Sequence, residues 1–141
     1  MEASGARSIL IVAYRTAATP LLLEQVRRRA GQAPCRFTLL VPRPYWDPDT
    51  DEAAVTLELA IPLLEEAAGG HVDGRIGDVD PLAAVREALD REHIDEVIVS
   101  TLPARVSHWL RRDLPSQVER LGLPVTVVTA KTSTRELLAP R

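Results

Sequence analysis

Cysteine, lysine, aromatic side chains and long apolar runs are all scarce in this chain, and each scarcity excludes something. The single cysteine, Cys35, rules out an internal disulfide framework and any Cys-rich zinc module, and it suits a reducing compartment. His71, His93 and His108 are widely spaced with no H-x3-H pair, so no bound metal is expected. Apolar stretches reach about five to seven residues, far short of the about 20 a membrane span needs. Met1 to Ser8 lacks the basic-then-apolar pattern of a signal peptide, so the expected location is cytoplasmic. No Walker loop, G-x-G-x-x-G or G-x-S-x-G occurs, and no nucleophile–base pair can be named. With a net charge of −3, no global field draws the chain to nucleic acid or an anionic membrane.

What is present suits one folded domain. The 141 residues are 45% apolar, enough for a core without disulfides or a structural metal. Basic charge is almost all arginine, with Lys131 the one lysine; codon bias and bidentate anion binding would both produce that. Charge is unevenly placed: residues 1–46 carry +5, residues 47–96 carry −12 and residues 97–141 carry +4. A polarised surface is the expected result.

Strands and helices alternate along the chain. Ser8-Ile9-Leu10-Ile11-Val12-Ala13 reads as a strand covered on both faces. Thr19-Pro20 opens a helix, Thr as N-cap and Pro at its first position, with Leu22, Leu23, Val26 and Ala30 inward and Gly31 as its stop. Residues 36–41 form a second strand, halted by Pro42 and Pro44. A second helix spans residues 51–68, with Asp49 and Glu52 spaced as a capping box and Pro62 expected to kink or split it. Residues 71–76 suit a third strand, although Asp73-Gly74 equally suits a hairpin turn. Asp80-Pro81 begins a third helix with Leu82, Val85 and Leu89 inward, and residues 96–100 form a fourth strand. Short helical pieces follow at 106–112 and 115–121, Gly122 stopping the latter. The last strand is Pro124-Val125-Thr126-Val127-Val128-Thr129.

This order predicts an α/β fold, a three-layer open sandwich around a five-stranded parallel sheet, Rossmann-like with strand order 3-2-1-4-5 or a flavodoxin-like relative. Residues 1–130 make the domain and residues 131–141 a loose tail. The first two helices should cover one face and the later two the other. Ligands in such sheets bind where strand order reverses, here between strands 1 and 4. The loops there hold Tyr14, Arg15 and Thr16 on one side, and Ser100, Thr101, Arg105 and His108 on the other. Guanidinium groups, hydroxyls and helix N-termini favour a small phosphate-bearing ligand, while solvation or neighbouring carboxylates would equally occupy the two arginines. Trp109 and Tyr14 could stack on a base, Trp109 at helical spacing from Val106 equally suiting the core; His108, near neutrality in pKa, has the chemistry of a general acid or base.

The layout of residues 8–130 resembles the universal stress protein family. The resemblance is carried by Ile9-Leu10-Ile11-Val12-Ala13, by Gly77-Asp78 with Asp80-Pro81, by Ile94-Asp95-Glu96-Val97-Ile98-Val99, and by Leu121-Gly122-Leu123-Pro124-Val125-Thr126-Val127-Val128. It implies ATP bound through an Asp ending strand 1 and a G-x2-G-x9-G-[ST] loop after strand 4, whose glycines let backbone N–H groups approach phosphates. Here Tyr14 or Arg15 stands at the Asp position, and no glycine lies between Ser100 and Gly122. The expectation is therefore a non-catalytic stress-response or regulatory protein with the ATP site lost or altered and no resident cofactor. The alternative is a binding module for a nucleotide or other phosphate anion at the crevice. The resemblance also implies a homodimer through the last strand, and independently that strand is an apolar edge that needs cover.

Two further patterns fail on their own terms. Asp47, Asp49, Asp51 and Glu58 match a calcium loop in spacing, but Glu52 stands where glycine is required. Gly74-Arg75-Ile76-Gly77 has the spacing of a nucleic-acid-binding GxxG loop in acidic surroundings and without that fold.

Overall fold

The apolar run near the start of the chain forms the middle strand of the sheet. The structure is a computed structural model and describes residues 6–44, 51–102, 109 and 113–130. In order, its elements are β1 (Arg7–Val12), α1 (Pro20–Gln32), β2 (Cys35–Pro42), α2 (Asp51–Ala68), β3 (Val72–Gly77), α3 (Pro81–Arg91), β4 (Glu96–Thr101), α4 (Leu114–Glu119) and β5 (Val125–Thr129). All strand pairs are parallel, in the order β3-β2-β1-β4-β5. The hairpin alternative at Asp73-Gly74 is thereby excluded, because β3 runs parallel beside β2.

Side chains alternate across β1 as the pleat requires. Ile9 and Ile11 enter one core with Leu22 and Val26 of α1 and Ala60 and Leu64 of α2. Leu10 and Val12 enter the other with Ala84, Val85 and Ala88 of α3 and Leu114 and Val118 of α4. Each face is thus covered by the expected pair of helices, which explains why β1, β2 and β4 read as nearly continuous apolar runs.

Several local details differ from the sequence expectations. Helix α1 continues through Gly31 and ends at Ala33, whose φ of −165° is extended. Proline is the cause: Pro34 forces the residue before it out of the helical region. Thr19 makes no side-chain cap; its hydroxyl donates back to the Thr16 carbonyl at 3.2 Å. Helix α2 is not split by Pro62, since its buried stripe of Ala53, Ala60, Leu64 and Ala67 continues on both sides of the proline. Glu52 accepts a hydrogen bond from the Tyr14 hydroxyl, while Asp49 lies outside the described residues. On α3 the most buried residues are Ala84, Val85 and Ala88, with Leu82 and Leu89 flanking them. Asp80 caps nothing with its side chain; Asp78 Oδ1 instead accepts from the Asp80 N–H at 2.9 Å.

Glycines follow two helices, the second of them as expected. Gly69, at φ +76°, follows α2 and donates to the Glu65 carbonyl. Gly122, at φ +98°, closes the turn after α4 and leads into β5. The expected helical piece at 106–112 lies outside the described residues except for Trp109, which is half-buried against the second core. The expected tail, 131–141, also lies outside them.

Candidate functional site

Strands β1 and β4 are neighbours, with Val12 opposite Val99, and beyond their carboxyl ends sheet order reverses. The crevice predicted from the sequence therefore exists as a topological position. Residues 14–18 leave β1 through tight turns, with Ala17 N–H donating to Tyr14 O and Thr19 N–H to Thr16 O, each at 3.3 Å. That compact path drives the Thr16 side chain inward, where it is 2% exposed, while Arg15 stays at the surface.

Thr16 Oγ1 and Ser100 Oγ lie 2.6 Å apart in a buried contact. Ser100 Oγ also donates to the Thr16 carbonyl at 3.3 Å. One proton arrangement satisfies both: Ser100 donates to the carbonyl and Thr16 donates to the Ser100 oxygen. These two hydroxyls lock the β1 loop onto β4 and serve each other. Tyr14 is half-buried, and its hydroxyl on Glu52 ties the same loop to α2.

Thr101 differs from both. By strand alternation Ser100 shares the face of Ile98, whereas Thr101 shares that of Val99 on the side of α3 and α4. Its carbonyl accepts from Ala130 N–H at 2.8 Å, which fixes the ends of β4 and β5 together. Its hydroxyl is buried and has no hydrogen-bond partner among the described residues. Buried polar atoms are seldom left unsatisfied, which sets this hydroxyl apart from those of Thr16 and Ser100. The structure thus joins Thr16 to Ser100 and sets Thr101 beside them on the opposite face. Arg105 and His108 lie outside the described residues.

A second polar cluster, at the other end of the sheet, was not anticipated. Glu96 begins β4 and is only 5% exposed. Its carboxylate receives Arg7 Nε at 2.8 Å and Arg29 Nη1, and Arg29 Nη2 also donates to Thr126 Oγ1 at 3.0 Å. Burial pushes the Glu96 carboxyl up, but the hydrogen bonds and charges of Arg29 and Arg7 outweigh it and hold the group below its ordinary value. Next to it, Asp95 Oδ2 accepts from Ser8 N–H at 2.8 Å, the main reason its carboxyl also lies low. Cys35 adjoins this cluster, and burial pushes its thiol up, away from reactivity. The arrangement joins β1, α1, β4 and β5; it has the chemistry of a staple. The one sequence signal was an acidic residue heading the otherwise uncharged strand Glu96–Thr101.

A shallow hollow of about 240 Å³ lies between β3 and α3, lined by Arg75, Gly77, Ala84, Glu87 and Arg91 among others. Arg75 is already paired with Glu92 at 3.2 Å. Among the described residues no group of His, Cys, Asp and Glu is placed to hold a metal ion, and no helix is long and apolar enough to cross a membrane.

No family model and no curated protein sequence matches the chain. Solved structures do. A universal stress protein in complex with cAMP is 14% identical, with a TM-score of 0.63 over 90% of this chain and 99% of that one. A universal stress protein from Archaeoglobus fulgidus is 15% identical, with a TM-score of 0.59 over 89% of this chain and 93% of its own. A structure of the universal stress protein from that organism in complex with dAMP is 14% identical, with a TM-score of 0.56 over 89% and 98%. The chain therefore has the Rossmann-like fold of the universal stress proteins.

Proposed function

We propose that this chain is a non-catalytic regulatory protein of universal-stress-protein type that binds a small phosphate-bearing ligand, a nucleotide above all, at the carboxyl ends of β1 and β4. The observation that carries the proposal is the buried Thr101 hydroxyl, without a partner among the described residues, at the strand end beside the switch point. A ligand oxygen would satisfy it. The cAMP and dAMP complexes of structures with this fold support the choice of ligand class.

Recognition here differs from a glycine-loop cradle, because no glycine lies between Ser100 and Gly122. Side chains must carry what backbone N–H groups carry in such a loop, and Arg15 and Arg105 are the guanidinium groups flanking the site in sequence. Support for a non-catalytic role comes from Ser100. Among the described residues its hydroxyl hydrogen-bonds only to Thr16, an arrangement that supplies no base to activate it.

Isothermal titration with AMP, cAMP and inorganic phosphate tests this reading. Saturable binding, weakened at least tenfold by both Arg15→Ala and Thr101→Val and accompanied by no turnover, is the expected result. Absence of binding to all three compounds would overturn it.

A further inference from the structure

Of the four large apolar side chains that the described residues leave exposed, three lie on α2: Val55 at 52%, Leu59 at 70% and Leu63 at 44%. They recur at intervals of four, so they form one exposed stripe along the flank of the helix, turned away from the buried face of Ala53, Ala60, Leu64 and Ala67. A helix that only covers a sheet needs one apolar face; α2 has two. Its charge is equally one-sided, with Asp51, Glu52, Glu58, Glu65 and Glu66 and no basic residue. The last turn holds no cation to offset the negative end of the helix dipole, which adds to the same sign. Glu58 and Glu66, both exposed, border the stripe.

We infer that the exposed face of α2 is a docking surface for a cationic amphipathic helix of a partner protein. Apolar residues of that helix would cover Val55, Leu59 and Leu63, and its lysines or arginines would meet Glu58 and Glu66. Charge selects this occupant over two others. A second copy packed α2 against α2 about a two-fold axis would set one all-acidic helix against another, which costs energy at every carboxylate pair. An anionic lipid surface would meet the same carboxylates and be repelled. A cationic helix alone gains from both the stripe and its border.

The probe is a synthetic amphipathic helix of leucine and lysine, titrated into the full-length protein and followed by amide chemical shifts. A leucine–glutamate helix of the same pattern serves as control. One-to-one binding with shifts centred on α2 is expected. Leu59→Gln should weaken it at least tenfold, and so should Glu58→Gln combined with Glu66→Gln. Because Leu59 is mostly exposed, Leu59→Gln should leave the melting temperature within about 2 °C of the parent, which separates lost docking from lost folding. The inference fails if the lysine peptide does not bind, if it binds Leu59→Gln as tightly as the parent, or if the glutamate peptide binds as well. It fails equally if Leu59→Gln abolishes self-association of the parent or binding to phosphatidylglycerol vesicles, since a second copy or a membrane would then own the face.

Discussion

Glu96 shows how one side chain can hold four elements together. Its carboxylate is buried between Arg7 and Arg29, and Arg29 reaches on to Thr126. Glu96→Gln keeps the shape but removes the charge that both guanidinium groups face. Arg7 is half exposed and recovers much of its loss from water, whereas Arg29 is mostly covered. Roughly 2–4 kcal/mol of stability should be lost, as in other broken buried pairs, and urea unfolding at pH 7 will measure it. The pH dependence follows from the direction of the shift. A carboxyl held low in the folded state contributes stability above its ordinary value of 4.5, and that contribution is lost as pH falls below it. The parent should therefore lose stability from pH 5 downward more steeply than Glu96→Gln. Thr101 behaves in the opposite way. Its hydroxyl is buried without a partner among the described residues, so Thr101→Val should leave the unliganded protein unchanged or more stable by up to about 1 kcal/mol. A loss of stability on thermal unfolding would mean that the hydroxyl is satisfied after all. Of these residues, Thr101 and the Thr16–Ser100 pair were legible because topology alone brings the ends of strands 1 and 4 together. The Glu96 cluster was not, since its members at 7, 29, 96 and 126 meet only through the sheet register and the last turn of α1.

At the scale of elements, patterning decided almost everything and close approach decided the rest. Apolar runs located β1, β2, β4 and β5, and the boundaries of α2 matched the expected ones, because these signals come from burial itself; β3, with Asp73, Gly74 and Arg75 at its centre, carried no such run and was left open against a hairpin. Local chemistry transferred less well. Gly31 was read as a helix stop, yet Pro34 ended α1, because a steric restriction outranks a conformational freedom that need not be used. On α3 Leu82, Val85 and Leu89 were expected inward; Val85 is fully buried, but Ala84 and Ala88 share the innermost positions with it and the two leucines pack at the margin of the core. The cause is Gly77, which lets the helix sit directly on β2 and β3: a Cβ there would stand 2.6 Å from Ala84 Cβ and 2.9 Å from Leu40 Cδ1. Gly77→Ala should force α3 outward and cost about 1–3 kcal/mol, the usual penalty for overpacking. Adding Ala84→Gly removes the nearer clash, so the double variant should be more stable than the sum of the two single effects. Strict additivity in a denaturant-based mutant cycle would show that the two residues do not compete for the same space.

At the scale of the whole molecule, the uneven charge and the two sheet edges lead to one prediction about assembly. The acidic segment 47–96 supplies α2, β3 and α3, which lie together at the β3 side of the sheet. Among the described elements, the basic residues of segment 1–46 lie on β1, α1 and β2, whereas α4 carries only Glu119 and β5 no charge, so the acidic character is concentrated on the β3 side. The edges are protected unequally. β3 carries exposed Asp73 and Gly74 with Arg75 beside them, residues that discourage a further strand. β5 is Val-Thr-Val-Val-Thr, with no charge and no proline, and its Val127 is 41% exposed. Pairing two copies through β5 would cover the unprotected edge and place the two acidic sides at opposite ends of a continuous sheet, where they repel least. Pairing through β3 would do the reverse on both counts. A dimer joined at β5 is thus the expected assembly, and Val127→Lys places a charge at the centre of the shared edge without disturbing either core. Sedimentation equilibrium at micromolar concentration should find the parent dimeric and Val127→Lys monomeric. Because apolar contact and strand pairing carry this interface, the parent dimer should persist in 0.5 M salt. A monomeric parent, or a Val127→Lys variant that stays dimeric, would place the assembly elsewhere on the molecule.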